Sequence, residues 1–258
     1  MLSVYLLRKQ SHSFQYIFFL TSSSSSIVNY GKLKNILVGA QKIVFLAHGF
    51  WAGDRNGCAS TWQREMAEDI KKVEGEKVVT VVLCWDSDPL EAWGLERSGL
   101  QSRFDLISGF SNICEGSYNV WGSYYYSVTS TAKLGELLGG MMKVIKQETS
   151  ITYFHGIGHS LGAHIMGNVY NFGEFKMNRI SGLDPAGPCF DGNTGDITIA
   201  KGTGSVDDLW GLHKNAAYFV DNYHTNGDLF GSTKSKGHLN LFAGINNLIF
   251  NSVHIISV

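Results

Sequence analysis

Five residues carry the sharpest chemical signal in this chain: Gly158-His159-Ser160-Leu161-Gly162. The pattern G-x-S-x-G sets a serine between two positions that a tight strand-to-helix turn requires to be small. A serine hydroxyl is a weak nucleophile, and it attacks an acyl carbon only when held clear of its sheet beside a base. The apolar run Ile151–Ile157 predicts a strand before the turn, and Leu161 to about Tyr170 predicts a helix after it. That helix would bring backbone N–H groups toward developing negative charge. The chemistry is acyl transfer through a covalent intermediate on Ser160, with the N–H of Leu161 as one oxyanion donor. His159, within the turn, and His164, four residues past the serine, both read as packed or hydrogen-bonded histidines.

A serine–histidine pair works best with a carboxylate that fixes the imidazole tautomer. Asp184 ends the next predicted strand, Arg179–Leu183, so one helix and one strand return it to the same sheet edge as Ser160. Asp191, Asp207 and Asp221 are weaker candidates for this role. A base following in the order Ser, Asp, His leaves His213, His224, His238 and His254. A thiol nucleophile would be Cys189 or Cys114, but neither has a setting that lowers a thiol pKa. The cysteines Cys58, Cys84, Cys114 and Cys189 allow three pairings, and no CxxC or Cys/His cluster has metal-ligand spacing. Gly202-Thr203-Gly204 lacks the strand and helix of a nucleotide-binding loop. Neither a metal nor a cofactor is expected.

The elements that must position these residues follow from the apolar pattern. Ser3–Leu7 and Phe14–Leu20 predict a hairpin turning through Arg8–Ser13, and Ser22–Ser26 predicts a loop. Lys42–Ala47 predicts a buried strand running into His48-Gly49-Phe50. Thr61 can cap a helix carrying Trp62, Met66 and Ile70 on one face. Val78–Trp85 is nearly all apolar, as in a central parallel strand, and an irregular insertion follows to about Val120. Leu134, Leu137, Leu138, Met141, Val144 and Ile145 recur at helical spacing. Gly135, Gly139 and Gly140 weaken that helix by roughly 1 kcal/mol each but permit close packing on a sheet. Ala216–Val220 adds another strand. Strands alternating with helices predict an α/β fold, a mostly parallel central sheet with helices on both faces, in one domain over residues 1–258.

Composition narrows the partners. With 21 Lys+Arg against 22 Asp+Glu the net charge is −1, which excludes the basic footprint of a nucleic-acid binder. Apolar residues at 44% in 258 residues support a sizeable core and exclude disorder by composition. No apolar run approaches the ~18 residues of a membrane span. Tyr16–Leu20 falls short of a secretory h-region.

The elbow, extended to His164, and the segment Ile180-Ser181-Gly182-Leu183-Asp184-Pro185-Ala186-Gly187-Pro188 together resemble the pancreatic lipase family, which includes lipoprotein lipase and animal phospholipases A1. The likeness extends to His48-Gly49-Phe50, to Ala217–Asp221 with His224-Thr225-Asn226-Gly227, and more loosely to Gly237–Asn240. The resemblance implies an α/β-hydrolase fold and lipid ester hydrolysis at a membrane or lipid-droplet surface, in a secreted protein. It implies Asp184 as the acid, Phe50 as the second oxyanion donor, and structural positions for His224 and His238. The family's base comes later still, so the resemblance points to His254, although Asn251-Ser252-Val253-His254 lacks the family's neighbouring cysteine. A very short lid and a chain ending at Val258, without the C-terminal β-sandwich, are more similar to the short phospholipases A1 than to triacylglycerol lipases. The alternatives are a triacylglycerol lipase and a non-catalytic relative like the yolk-protein branch. The Phe190–Leu212 loop is longer than the family's. Trp51 and Trp210 are candidates for aromatics at a lipid interface.

Overall fold

The computed structural model of the chain describes the backbone of 2–7, 9–10, 13–14 and 19–20, and residues 35–50, 61–85, 87, 120–191, 210–225, 227 and 230–243. Its strands are β1 (Leu2–Leu7), β2 (Lys9–Gln10), β3 (Ser13–Phe14), β4 (Phe19–Leu20), β5 (Lys42–Ala47), β6 (Val78–Trp85), β7 (Tyr153–His159), β8 (Met177–Leu183), β9 (Ala217–His224) and β10 (Leu239–Phe242). Among the described residues three α-helices, α1 (Thr61–Glu74), α2 (Val120–Glu148) and α3 (Leu161–Asn171), connect and cover them.

The main sheet runs β10-β9-β8-β7-β5-β6-β1-β4. Every pair from β10 to β6 is parallel, while β1 lies antiparallel on β6 and β4 antiparallel on β1. The chain crosses from β6 back past β5 to β7, so strand order reverses between β5 and β7. In open parallel sheets a ligand crevice opens outside the carboxyl ends of the strands at such a reversal. The predicted N-terminal hairpin is present: β1 returns to β4, with the β2–β3 pair at its tip.

Burial explains the strand types. All eight residues of β6, six of them Val, Leu or Trp, are buried, as a strand covered on both faces requires. On one face α1 sets Ala67, with Met66 and Ile70, against Val44, Leu46, Val78, Val82 and Ile157. On the other, Val128, Leu138 and Met142 of α2 and Leu161, Ile165 and Met166 of α3 pack with Ile43, Phe45 and Val81. Helices thus cover both faces, and the fold is that of the α/β hydrolases.

Three sequence expectations are amended. The helix predicted from Leu134 is α2, which begins much earlier, at Val120. Gly135 and Gly139 meet α3 and the turn just after it: a Cβ on Gly135 would lie 2.5 Å from the Asn168 backbone, and one on Gly139 2.5 Å from Gly173 Cα, while Gly140 has open space. The small residues therefore admit helix α3. Strand β10, which the sequence pattern did not announce, extends the sheet at its far edge. The irregular insertion predicted after Trp85 lies outside the described residues, except Ser87.

Candidate active site

The crevice at the strand reversal is where the elbow stands. β7 ends at His159, Ser160 turns, and α3 begins at Leu161. Ser160 has φ 54° and ψ −120°, a backbone state that non-glycine residues rarely adopt and that costs of order 1–3 kcal/mol. The turn closes tightly: a Cβ on Gly158 would come within 2.3 Å of the Gly162 backbone, and one on Gly162 within 2.3 Å of Ala47 O. No side chain fits at either position. The Ser160 N–H donates to Leu183 O at 3.0 Å, and Ser160 O accepts from the Ala163 N–H at 3.1 Å.

The end of β5 forms the opposite wall. A Cβ on Gly49 would lie 2.6 Å from Ser160 Cβ and 3.1 Å from Ser160 Oγ, so the His48-Gly49-Phe50 turn passes directly against Ser160. That turn is anchored from below. Trp85 Nε1–H donates to His48 O at 3.0 Å, the His48 ring stacks on Trp85, and Gln63 Nε2–H donates to Leu46 O at 3.1 Å. The Phe50 ring meets Tyr124 of α2 edge-on, with centroids 5.3 Å apart. Leu161 is fully buried at the start of α3.

Asp184 follows β8 just as Ser160 follows β7. His159 pairs with Leu183 across these strands, and Leu183 with Tyr223, so Ser160 and Asp184 leave the sheet side by side. Asp184 has φ 47°, its N–H donates to Tyr223 O at 2.6 Å, and its Oδ1 accepts from the Thr225 N–H at 2.9 Å. The following residues are held too. Ser232 N–H donates to Pro185 O at 2.7 Å, Gly187 N–H to Phe230 O at 2.8 Å, and the Tyr124 hydroxyl to Pro188 O at 3.1 Å. Burial, aided by the negative charge of Asp191, pushes the Tyr124 phenol far above its ordinary range.

The other candidate carboxylates have different partners. Asp191 forms an ion pair with Lys236 at 3.1 Å and accepts from Ser232 Oγ at 2.8 Å. Asp221 is fully buried in β9, where Arg179 Nε and Nη2 donate to its two oxygens at 2.8 and 2.7 Å. Asp207 lies outside the described residues.

The candidate bases separate in the same way. His213 Nε2–H donates to Asn171 Oδ1 at 2.8 Å, and its Nδ1 accepts from the Asn215 N–H. His224 is buried, donates from Nδ1 to Ser232 O at 2.7 Å, and stacks on Phe242. His238 Nδ1 accepts from the Val220 N–H at 3.0 Å, and its ring stacks on Phe219. All three brace backbone or a loop. His254 lies outside the described residues. Beside Ser160, the buried His159 Nδ1 has no hydrogen-bond partner among the described residues, and its ring meets Trp62 in an edge-to-face arrangement. Burial lowers the His159 pKa, opposed by the negative charge of Asp184.

One alternative is removed and one expectation about a neighbouring residue changes. Cys84 and Cys189 are both disulfide-bonded, which removes Cys189 as a thiol nucleophile; Cys114 lies outside the described residues. Trp210 is only 7% exposed, stacked on Phe190 and edge-on to Phe172, so it packs in the core and does not face a lipid surface. Trp51 and most of the Phe190–Leu212 loop lie outside the described residues. The sequence reading passed over a polar group buried in the sheet. His155 Nε2–H donates to Ser181 Oγ at 2.9 Å, and Ser181 Oγ–H donates to Asp221 at 3.0 Å. Only a known strand register brings those three together.

A family model described as Lipase matches residues 113–246. Phospholipase A1 member A of Rattus norvegicus is 34% identical over 126 residues, 48% of this chain and 25% of that protein. Lipase member H-B of Xenopus laevis is 32% identical over 120 residues, 46% of this chain and 23% of that protein. Pancreatic lipase-related protein 2 of Rattus norvegicus is 27% identical over 210 residues, 78% of this chain and 34% of that protein. The chain thus spans between about a quarter and a third of the length of these relatives. No described helix is long and apolar enough to cross a membrane. The Lipase match spans more than half of the chain and includes both the elbow and Asp184, and the chain belongs to that family.

Proposed function

We propose that this chain hydrolyses carboxylic esters of lipids through an acyl-enzyme on Ser160, with phospholipase A1-type specificity. The observation that carries the reading is Ser160 itself: a left-handed serine at the strand reversal, ahead of a helix and beside Asp184. In this reading Ser160 Oγ attacks the ester carbonyl carbon while the base, His254, takes the hydroxyl proton. The imidazolium passes that proton to the departing alcohol. Water then attacks the acyl-enzyme by the reverse roles and releases the fatty acid. Asp184 orients the imidazole and stabilises its charged form. The N–H groups of Phe50 and Leu161 receive the oxyanion, each worth roughly 3 kcal/mol. The approach of Gly49 to Ser160 supports the Phe50 assignment, and the bracing bonds of His213, His224 and His238 support a base elsewhere.

The phospholipid preference rests on the likeness to phospholipase A1 member A. An extracellular location is supported by the relatives and by the two disulfide-bonded cysteines, since such bonds persist in oxidising compartments. The test is hydrolysis of phosphatidylcholine, trioleoylglycerol and a short-chain ester by the chain and by Ser160→Ala and His254→Ala variants. Fatty acid released from the sn-1 position, and lost in both variants, is the expected result. Release from triacylglycerol alone replaces the substrate class. Activity retained without Ser160 overturns the mechanism, and activity retained without His254 reassigns the base.

A further inference from the structure

His164 is used by no step of the mechanism, yet it is bonded to both the segment after Asp184 and the Gly211-Leu212 turn. It rises from α3 four residues after Ser160 and is 1% exposed. The Leu212 N–H donates to its Nδ1 at 3.1 Å, which fixes the tautomer: the proton sits on Nε2, and Nε2–H donates to Ala186 O at 2.8 Å. The ring lies flat on Phe190, with centroids 3.5 Å apart and planes 2° apart. Gly211, at φ +72°, leaves the ring its space; a Cβ there would stand 2.4 Å from Nδ1. Burial, with the charge of Lys236 adding and the Ala186 carbonyl opposing, pushes the ring pKa down to about 3, so it stays neutral at working pH.

We infer that His164 is a positioning residue that fixes the acid loop to the nucleophile's helix through its Nε2–H bond to Ala186 O. The other bonds to residues 185–188 come from the loop itself, where the Phe190 and Asp191 N–H groups donate to Gly187 O, from the 230–232 segment and from α2. Among the hydrogen bonds between described residues, that from His164 is the one that reaches residues 185–188 from the helix that Ser160 begins, so it couples the placement of Asp184 to that of Ser160. A shift of about 1 Å in such a group costs on the order of 10²-fold in rate. The inference rests on the hydrolase reading above.

Three variants test it. In His164→Leu neither bond is made. In His164→Gln the amide nitrogen stands where Nε2 stood and can still donate to Ala186 O. In His164→Asn the shorter amide oxygen stands near Nδ1 and can accept from Leu212 but not reach Ala186. With the short-chain ester, Leu and Asn are expected to lose about 10- to 100-fold in kcat with KM within about threefold, while Gln recovers most of kcat. Hydrogen exchange gives a second readout that needs no activity. The amides of Gly187, Phe190 and Asp191 are hydrogen-bonded in the intact loop, and they should exchange faster in Leu and Asn than in Gln. Unchanged exchange in His164→Leu overturns the inference. So does a kcat that stays within about threefold in the Leu variant, or that falls equally in all three. A wild-type chain without Ser160-dependent hydrolysis overturns the hydrolase reading and the catalytic half of this inference; the exchange result still decides whether His164 holds the loop.

Discussion

Two groups of serine, histidine and aspartate share one sheet. At the carboxyl ends of β7 and β8 stand His159, Ser160 and Asp184; lower in the sheet, across β7, β8 and β9, stand His155, Ser181 and Asp221. The lower group has the closer contacts. His155 meets Ser181 at 2.9 Å, and the hydroxyl reaches both Asp221 oxygens at 3.0 and 3.1 Å. It is nonetheless arranged against catalysis. Ser181 Oγ–H is given to the carboxylate, so the ring nitrogen facing it is a donor and cannot take a proton. Ser181 is 5% exposed within a regular parallel strand. Ser160 has the opposite attributes: a strained backbone, an elbow beside the β5 turn, and the first turn of α3 beyond it. Residue types in contact do not make a nucleophile; exposure, donor direction and a preformed anion site do.

The comparison breaks if the upper serine can be dispensed with. Ser160→Ala should lower ester hydrolysis by at least about 10⁴-fold with the fold intact, checked by initial rates and circular dichroism. Asp184→Asn should cost on the order of 10⁴ in kcat, because the base would lose the partner that sets its tautomer. A mild loss would move the acid role elsewhere.

The elbow was legible because its geometry is written in adjacent residues: a tight turn needs Gly158 and Gly162, and their presence around a serine is informative by itself. The strand–helix alternation gave the fold class for the same reason, since periodicity is local. What escaped was cross-strand. Arg179 and Ser181 alternate with apolar neighbours and read equally well as a solvent-facing edge; only the pairing of Ser181 with Asp221 shows their role. The glycines of α2 announced a close approach but not its partner. Trp210 shows the same ambiguity, because an aromatic beside a glycine packs inward or outward according to neighbours far away in sequence. β10 is four residues long at the sheet edge, too short to establish a period.

The lower group should reveal itself in stability. Asp221→Ala would leave Arg179 without its buried partner and should cost about 3 kcal/mol, the low end for such a pair because the Arg179 side chain is 37% exposed. Urea unfolding measures it, and activity per folded molecule should not change. Acid probes the same residues. Burial pushes His155 down to about 4, helped by Arg179 and Lys42 and opposed by Asp221. Between pH 6.5 and 4 the unfolded chain takes up a proton that the folded chain refuses, so stability falls as pH falls, by about 3 kcal/mol over that window. Burial alone would raise the Asp221 pKa, but its bonds to Arg179 and Ser181 hold it below the usual carboxylate range. Its contribution is therefore present above the normal aspartate range and disappears only at still lower pH, as it protonates. Unfolding curves at pH 7 and 4.5, for the chain and for His155→Gln, should show the variant with the flatter dependence.

The smallest effect draws the sharpest line between the two serines. Ser181→Ala removes one hydroxyl that both gives and receives a hydrogen bond, leaving His155 Nε2–H unsatisfied while Asp221 keeps its two bonds from Arg179. The expected cost is about 1–2 kcal/mol in unfolding free energy. Ester hydrolysis per folded molecule should stay within about twofold, and a serine-directed phosphonate should still label Ser160 at the wild-type rate. A large loss of turnover in Ser181→Ala would mean that the buried group governs the site above it through β8, the strand that ends at Leu183 next to the acid. The two constellations would then be one.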